Sequence, residues 1–185
     1  MSAFGEDVAA VVNKIGADNI ILVGHSMGGP VAIEAAKLLG NKVTAIVGVD
    51  AFYIPFEYPK TEAAISRFAK PFKDDFYNAS EQMVRSMFTP EADPHLIQSI
   101  VAQMSTANRE MGVSAIFEIF RWNAKHVPSV LDKYSQKLRN INGAPTVGET
   151  ALHNSVTLVP GVGHFVAQVK PDAFNKALNK IIAEY

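Results

Sequence analysis

The sequence predicts an α/β fold in which a mostly parallel sheet carries a helical insertion. Two apolar runs, residues 20–24 (IILVG) and 43–49 (VTAIVGV), are typical of strands buried on both faces of a parallel sheet. Segments with helical periodicity lie before, between and after these runs. The resulting order of helix, strand, helix and strand is the pattern of a doubly wound α/β protein.

Local signals justify the elements before residue 50. The first helix is predicted to end at Gly16, and a short turn leads from there into the strand at 20–24. A helix rich in small residues covers 30–39, and Pro30 is compatible with its first turn. The first helix has one predicted apolar face, formed by Phe4, Val8, Val11, Val12 and Ile15.

Between residues 51 and 138 the strand-like runs disappear. Amphipathic helical segments replace them, at 62–68, 80–88, 94–104, 113–122 and 129–138. We interpret 51–138 as one helical insertion and assign 1–50 and 139–185 to the α/β core. Phe117, Phe120 and Trp122 are predicted to be packing residues rather than ligand contacts. A strand at 155–159 and a last helix that starts near Pro171 complete the core.

The composition excludes several classes of protein. The chain has 185 residues, 48% of them hydrophobic and 19% charged, and a net charge of −1, so it offers no basic surface for nucleic acid or a membrane. It contains no cysteine, which excludes disulfides, thiolate zinc sites and a cysteine nucleophile. Glu6 and Asp7 make the N-terminus unlike a signal peptide, so a cytoplasmic location is expected.

The segment VGHSMGG, residues 23–29, has the pattern of a nucleophile elbow. Gly24, Ser26 and Gly28 form G-x-S-x-G between a predicted strand and a predicted helix. Such a turn strains the serine backbone, so we expect the two glycines to be required because neighbouring Cβ atoms would collide. Ser26 Oγ would then project from the end of the strand, and the Met27 N–H would supply half of an oxyanion hole. No glycine-rich phosphate-binding pattern overlaps this segment.

A serine nucleophile needs a base, and the chain has five histidines. His164 follows the last predicted strand in a glycine-rich turn, where an imidazole has room to approach the elbow, and it is the predicted base. His25 is expected to shape the pocket or to pack. The remaining histidines, which are predicted to be structural or on the surface, are His95, His126 and His153.

The segments LVGHSMGGPVAIEAA, VTAIVGVD and GVGHF together resemble the α/β-hydrolase superfamily, in its lidded esterase and lipase-like branch. The resemblance covers nearly the whole chain and keeps the family's order of motifs. It implies Ser26 as nucleophile, His164 as general base and acid, residues 51–138 as a cap over the pocket, and no cofactor or metal. The serine distinguishes this chain from the haloalkane dehalogenases and epoxide hydrolases, which have Asp at that position.

The chain departs from the family pattern at its start. The family has several strands, and a loop that donates the second oxyanion N–H, before the helix that precedes the elbow. This chain begins at that helix, so the resemblance predicts an N-terminally truncated core with an exposed apolar sheet edge. Self-association as a homo-oligomer, or a partner protein, would cover such an edge.

The catalytic acid is the second departure. Residues 139–146 contain no apolar run long enough to predict the strand that precedes the acid in the family, and Ala144 stands at the acid's expected position. Some superfamily members place the acid after the strand that follows the elbow helix, and Asp50 ends that strand here. Asp50 is therefore the first candidate, although a structural role as a turn cap stays open. Glu149 is a weaker candidate.

The predicted function is enzymatic. We expect a serine hydrolase that cleaves a small ester or similar acyl bond in an apolar small-molecule substrate, with no nucleic-acid or membrane partner. The same residues serve hydroxynitrile lyases and cofactor-free haloperoxidases, so these chemistries remain alternatives. A further alternative is a non-catalytic or weakly active module that needs a partner or self-association.

Overall fold

The computed structural model describes residues 1–52, 59–144 and 155–185. Its sheet has four parallel strands in the order β1-β2-β3-β4 within this described part. The strands are β1 (Ile20–His25), β2 (Val43–Val49), β3 (Leu138–Gly143) and β4 (Val156–Val159). The α/β class and the parallel sheet that the sequence predicts are therefore confirmed.

Helices connect the strands. Among the described residues none of them is both long enough and apolar enough to cross a lipid bilayer. They are α1 (Ser2–Ile15), α2 (Gly28–Leu39), α3 (Glu62–Asp74), α4 (Phe76–Ser86), α5 (Pro94–Ser105), α6 (Arg109–Tyr134), α7 (Val166–Val169) and α8 (Pro171–Ile182).

The sheet is covered on both faces, as expected for parallel strands with continuous apolar sequences. On one face Ile33 of α2 and Trp122 of α6 pack with Ile46 of β2. On the other face Ile181 of α8 packs with Val47 of the same strand. Alternating residues of β2 thus enter two separate clusters, and the carboxyl ends of the strands come together at one edge of the sheet.

Helix α1 buries only part of its predicted apolar face, since Val12 is buried and Val8 packs against the core. Gly5, Ala9 and Val12 are its buried residues, and a Cβ on Gly5 would lie 2.5 Å from the Cβ of Glu34, so α1 lies close against α2. Val11 and Ile15 of the predicted apolar face are 58% and 71% exposed. Small residues also contribute to the contact, because they allow the two helix backbones to approach closely.

Strand β1 is the edge strand of the described sheet, since it pairs with β2 alone. Its residues alternate in exposure: Leu22 is 8% exposed and Val23 is 47% exposed. The side chain of Val23 therefore lies on the open surface next to the elbow.

Helices α3 to α6 occupy the segment predicted as the helical insertion, but two predicted helices are one. The predicted segment at 113–122 and most of the one at 129–138 belong to the single 26-residue helix α6, which continues through Pro128 and ends at Tyr134. The prediction that Phe117, Phe120 and Trp122 pack is confirmed, since their exposed fractions are 9%, 9% and 5%. The division into core and cap, with its boundary after residue 138, stays a prediction, and β3 begins at Leu138.

Strand β3 corrects the expectation that residues 139–146 lack a strand. Leu138–Gly143, with the sequence LRNING, pairs in parallel with β2 and β4. Leu138 and Ile141 supply its apolar contacts, but Asn140 and Asn142 are also buried, with exposed fractions of 0% and 2%. The apolar pattern is interrupted because two amides occupy the interior of the sheet.

Candidate active site at the carboxyl ends of the strands

Ser26 lies in a strained turn between β1 and α2. Its φ is +51°, in the left-handed region that non-glycine residues seldom occupy, and its N–H donates to Val49 O over 2.9 Å. Strain of this kind persists only where the surroundings enforce it and is concentrated at functional sites. The backbone geometry of a nucleophile elbow is therefore present at the predicted serine.

The glycines of the elbow have unequal roles. A Cβ on Gly24 would lie 2.1 Å from the carbonyl oxygen of Gly28, which no relaxation of a side chain could relieve. A Cβ on Gly28 would meet nothing within 4 Å apart from its chain neighbours and the adjacent backbone of α2, so the expectation that Gly28 avoids a collision is wrong. A Cβ on Gly29 would lie 2.9 Å from the Ala51 Cβ. The close packing behind the elbow thus depends on Gly24 and Gly29.

Met27 immediately precedes helix α2. The first N–H groups of a helix have no acceptor inside it, and the helix dipole adds a partial positive charge at this end. The Met27 N–H is therefore a suitable donor for an anionic oxygen beside Ser26, although its role as an oxyanion donor stays a prediction.

Asp50 and His164 are in direct contact. His164 Nδ1 lies 2.5 Å from Asp50 Oδ2, and the two side chains are 16% and 28% exposed. Because an ionised carboxylate only accepts hydrogen bonds, Nδ1 carries the proton and Nε2 keeps its lone pair free for proton transfer. The structure thus brings together the two residues that the sequence nominated as acid and base.

The backbone of Asp50 is also held in an unusual conformation. Its φ is +46°, and its N–H donates to the carbonyl of Ile141 over 3.0 Å. Its second carboxyl oxygen, Oδ1, accepts from Asn142 Nδ2 over 3.0 Å. The hydrogen bond from Asn142 and the contact with His164 together orient the Asp50 carboxyl group.

His25 packs, as expected, and its neighbour is His164. Its Nε2 lies 2.9 Å from the carbonyl oxygen of His164, and the centroids of the two rings are 4.6 Å apart. Burial, followed by the nearby His164, lowers the pKa of His25 below its ordinary value of 6.5. A neutral His25 with its proton on Nε2 donates to that carbonyl and joins the strand before Ser26 to the loop that carries His164.

The helical insertion also holds the histidine loop. The His164 N–H donates to the carbonyl of Met87, just after α4, over 2.9 Å. A Cβ on Gly163 would lie 2.2 Å from the same carbonyl oxygen, so this contact requires glycine. The rings of Phe88 and Phe165 stack with centroids 4.6 Å apart. Sequence reasoning missed Met87, because a backbone acceptor leaves no trace in the residue type.

The other candidates lie elsewhere. His95 is exposed at the start of α5, and His126 lies on α6 with its ring 5.6 Å from that of Trp122. His153 and Glu149 lie outside the described residues. Ala144 follows β3, and its N–H donates to Val159 O over 3.1 Å.

A surface cavity of about 850 Å³ opens between α1, α3 and α6, with Phe4, Ile65 and Trp122 in its wall. Ser26 and His164 do not line it, so it is separate from the elbow. Within the described ranges no group of three or more His, Asp or Glu side chains is arranged to hold a metal ion. The pocket predicted beneath a cap over Ser26 stays a prediction.

A strained serine between a parallel strand and a helix, with a histidine–aspartate pair held against the same strand end, defines a nucleophile-elbow α/β protein. Residues 2–177 match the model of the alpha/beta hydrolase family, and the chain belongs to this family. A curated relative from Haemophilus influenzae, named "Putative esterase/lipase", is 22% identical over 189 residues. The match covers 96% of this chain, which spans 65% of the length of that relative.

Solved structures show the same fold. A thermophilic esterase from Thermogutta terrifontis is similar with a TM-score of 0.75 at 16% identity, covering 99% of this chain and 72% of that one. An esterase from Exiguobacterium antarcticum is similar with a TM-score of 0.73 at 14% identity, and the match covers 97% of this chain and 72% of the esterase chain. These likenesses establish the α/β-hydrolase fold of the chain.

Proposed function

We propose that this chain carries the active site of a serine hydrolase that cleaves a small ester or a similar acyl bond. The observation that carries the proposal is the 2.5 Å contact between His164 Nδ1 and Asp50 Oδ2, at the strand ends where Ser26 adopts a φ of +51°. The names of the esterase relatives agree with this chemistry.

The residues have the following roles in the proposed reaction. Ser26 Oγ attacks the acyl carbon as its proton passes to His164 Nε2, and the Met27 N–H donates to the oxyanion that forms. The leaving alcohol departs with the proton from His164, and an acyl-Ser26 ester remains. Water then attacks this ester and gives a proton to His164, which returns it to Ser26 as the carboxylic acid leaves.

Asp50 orients His164 in this scheme. It holds the proton on Nδ1 and stabilises the imidazolium that forms when His164 accepts a second proton. No cofactor or metal takes part in any of these steps. An apolar acyl or aryl group is the proposed substrate class, in keeping with the many apolar residues of the helical insertion.

A fluorophosphonate probe tests the proposal, because it reacts with an activated serine and needs no knowledge of the substrate. We expect labelling of the wild-type chain at Ser26, and loss of labelling in Ser26→Ala and His164→Ala. Ser99→Ala and His95→Ala, which change exposed residues of α5, are matched controls and should label like wild type.

The result separates the candidate functions. A folded wild-type chain that fails to label would contradict the proposal and favour the non-catalytic module. Labelling combined with cleavage of aryl esters supports the hydrolase. Labelling without ester cleavage, together with turnover of a cyanohydrin or a halide and peroxide mixture, would point to the lyase or haloperoxidase chemistry.

A further inference from the structure

Strand β3 places two asparagines in the middle of the sheet. Asn140 and Asn142 have exposed fractions of 0% and 2%, where a parallel sheet ordinarily buries apolar side chains. Their neighbours Leu138 and Ile141 follow that ordinary pattern. A buried amide destabilises the fold unless its groups are hydrogen-bonded, so the two asparagines need a physical explanation.

The two amides form one chain of hydrogen bonds that ends at the candidate catalytic acid. Asn140 Nδ2 donates to Asn142 Oδ1 over 2.7 Å, and Asn142 Nδ2 donates to Asp50 Oδ1 over 3.0 Å. The second carboxyl oxygen, Asp50 Oδ2, contacts His164 Nδ1. Each oxygen of the carboxyl group is therefore engaged by a different donor, which defines both its position and its rotation.

The carboxylate determines which atom donates at each hydrogen bond in this series. Because a carboxylate only accepts, Asn142 must turn its Nδ2 toward Asp50 and its oxygen toward Asn140. Asn140 then has acceptors on both sides, Asn142 Oδ1 and the carbonyl of Ala51, and its Nδ2 donates to both. Among the described residues, Asn140 Oδ1 has no hydrogen-bond partner. An apolar residue at position 140 would not leave a buried polar atom without a hydrogen bond.

The neighbouring strand β2 has a glycine where it faces the first of these amides. Asn140 pairs with Gly48 of β2, and a Cβ on Gly48 would lie 2.3 Å from Asn140 Oδ1. The next residues along the same faces of the two strands are Asp50 and Asn142. A glycine, an unsatisfied oxygen and two buried amides are thus arranged around a single carboxyl group.

We propose that Asn142, itself oriented by Asn140, is a positioning residue that holds the Asp50 carboxyl group in its catalytic orientation toward His164. This inference rests on the proposed function for its effect on rate. The effect of Asn142 on the contact between Asp50 and His164 is a separate property, which can be measured in the absence of any activity.

Kinetics of Asn142→Ala provide the first test. We expect the rate of fluorophosphonate labelling and the kcat for an aryl ester to fall by about 10-fold to 100-fold, with little change in KM. Asn123→Ala is the matched control, since Asn123 is also a buried asparagine (4% exposed) but donates within α6 to Ile119 O. It should retain the wild-type rate.

A double-mutant cycle distinguishes positioning from general stabilisation. If Asn142 acts through Asp50, then Asn142→Ala should cause almost no further loss of rate in an Asp50→Asn background. A residue that only stabilises the fold would lower the rate by the same factor in both backgrounds.

The tautomer of His164 provides a readout that needs no turnover. In ¹⁵N spectra of the neutral imidazole, wild type should show the proton on Nδ1, and this population should fall in both Asp50→Asn and Asn142→Ala. If the single variant does not fold, the double variant Asn140→Val/Asn142→Leu replaces both buried amides of β3 by apolar side chains and serves for the same two measurements.

The outcomes are distinct. An unchanged tautomer population together with an unchanged or non-coupled rate in the Asn142 variants would overturn the proposal. If the tautomer population shifts in the two variants but the wild-type chain never labels at Ser26, the proposed function is overturned and the positioning role is supported. A shifted tautomer with coupled rates supports both.

Discussion

Replacement of Asp50 by asparagine tests most directly which group orients His164. The substitution preserves the size and shape of the side chain but replaces a charged acceptor by an amide that can also donate. An amide hydrogen directed at His164 would favour the tautomer whose Nε2 already carries a proton. That imidazole could no longer take a proton from Ser26.

The size of the effect follows from the contact and its exposure. A hydrogen bond to a charged group contributes about 1.5–3 kcal/mol, equivalent to roughly 10-fold to 150-fold in rate. The corresponding change in the serine-protease template, where the tautomer is also wrong, costs on the order of 10⁴ in kcat. Asp50 is 28% exposed, so water can replace part of the interaction. We therefore expect a loss on the order of 10³.

The assay is the second-order rate of fluorophosphonate labelling, measured together with thermal unfolding. Asp74→Asn is the matched control, because Asp74 lies at the end of α3 and forms an exposed ion pair with Lys70. It should label at the wild-type rate. If Asp50→Asn folded normally and labelled as fast as this control, Asp50 would not be the catalytic acid and the roles proposed above would need another carboxylate.

The remaining predictions concern stability. Because burial lowers the pKa of His25 below 6.5, the unfolded chain binds a proton that the folded chain excludes, so stability should fall as the pH falls below about 6.5. His25→Phe should weaken this dependence in denaturation curves from pH 7 to 5, and an unchanged curve would contradict it. Gly24→Ala should cost about 3 kcal/mol or more in urea unfolding, since its Cβ meets a backbone oxygen, whereas Gly28→Ala should be nearly neutral. Equal effects of the two changes would refute the packing described for the elbow. Trp122→Phe removes the indole donor to Glu34 Oε1 and should cost about 1–3 kcal/mol, with the thermal midpoint as readout.

Most of the sheet could be predicted from sequence because its strands are continuous apolar runs. β1 and β2 were found in this way, as was the elbow between β1 and α2. The prediction that β3 is absent was wrong for a physical reason: Asn140 donates to Asn142 and Asn142 donates to Asp50, and these hydrogen bonds offset much of the cost of burying two amides in the strand. Only the alternation of the two asparagines, at positions i and i+2, could have signalled that both point to the same face.

In the candidate site, too, local motifs could be predicted from the sequence and long-range contacts could not. Ser26 and His164 stand in local motifs, and Asp50 follows a predicted strand, so the sequence could nominate all three as candidates. Their mutual support depends on contacts between distant segments: the His25 side chain reaches the His164 carbonyl, and the Met87 carbonyl accepts from the His164 N–H. No local pattern encodes contacts of this type. The sequence predicted two helices where α6 is one, because Pro128 is a local stop signal, yet the helix continues through it from Arg109 to Tyr134.

The bond from the His164 N–H to the carbonyl of Met87 has a consequence for protein engineering. Exchange of the helices between β2 and β3 with those of a relative is an obvious way to change substrate preference. Any such chimera removes Met87, whose carbonyl oxygen accepts from the His164 N–H and lies so close to Gly163 that only glycine fits there. A graft must therefore present a backbone carbonyl at the same point, or it will displace His164, the proposed base, from its position beside Asp50.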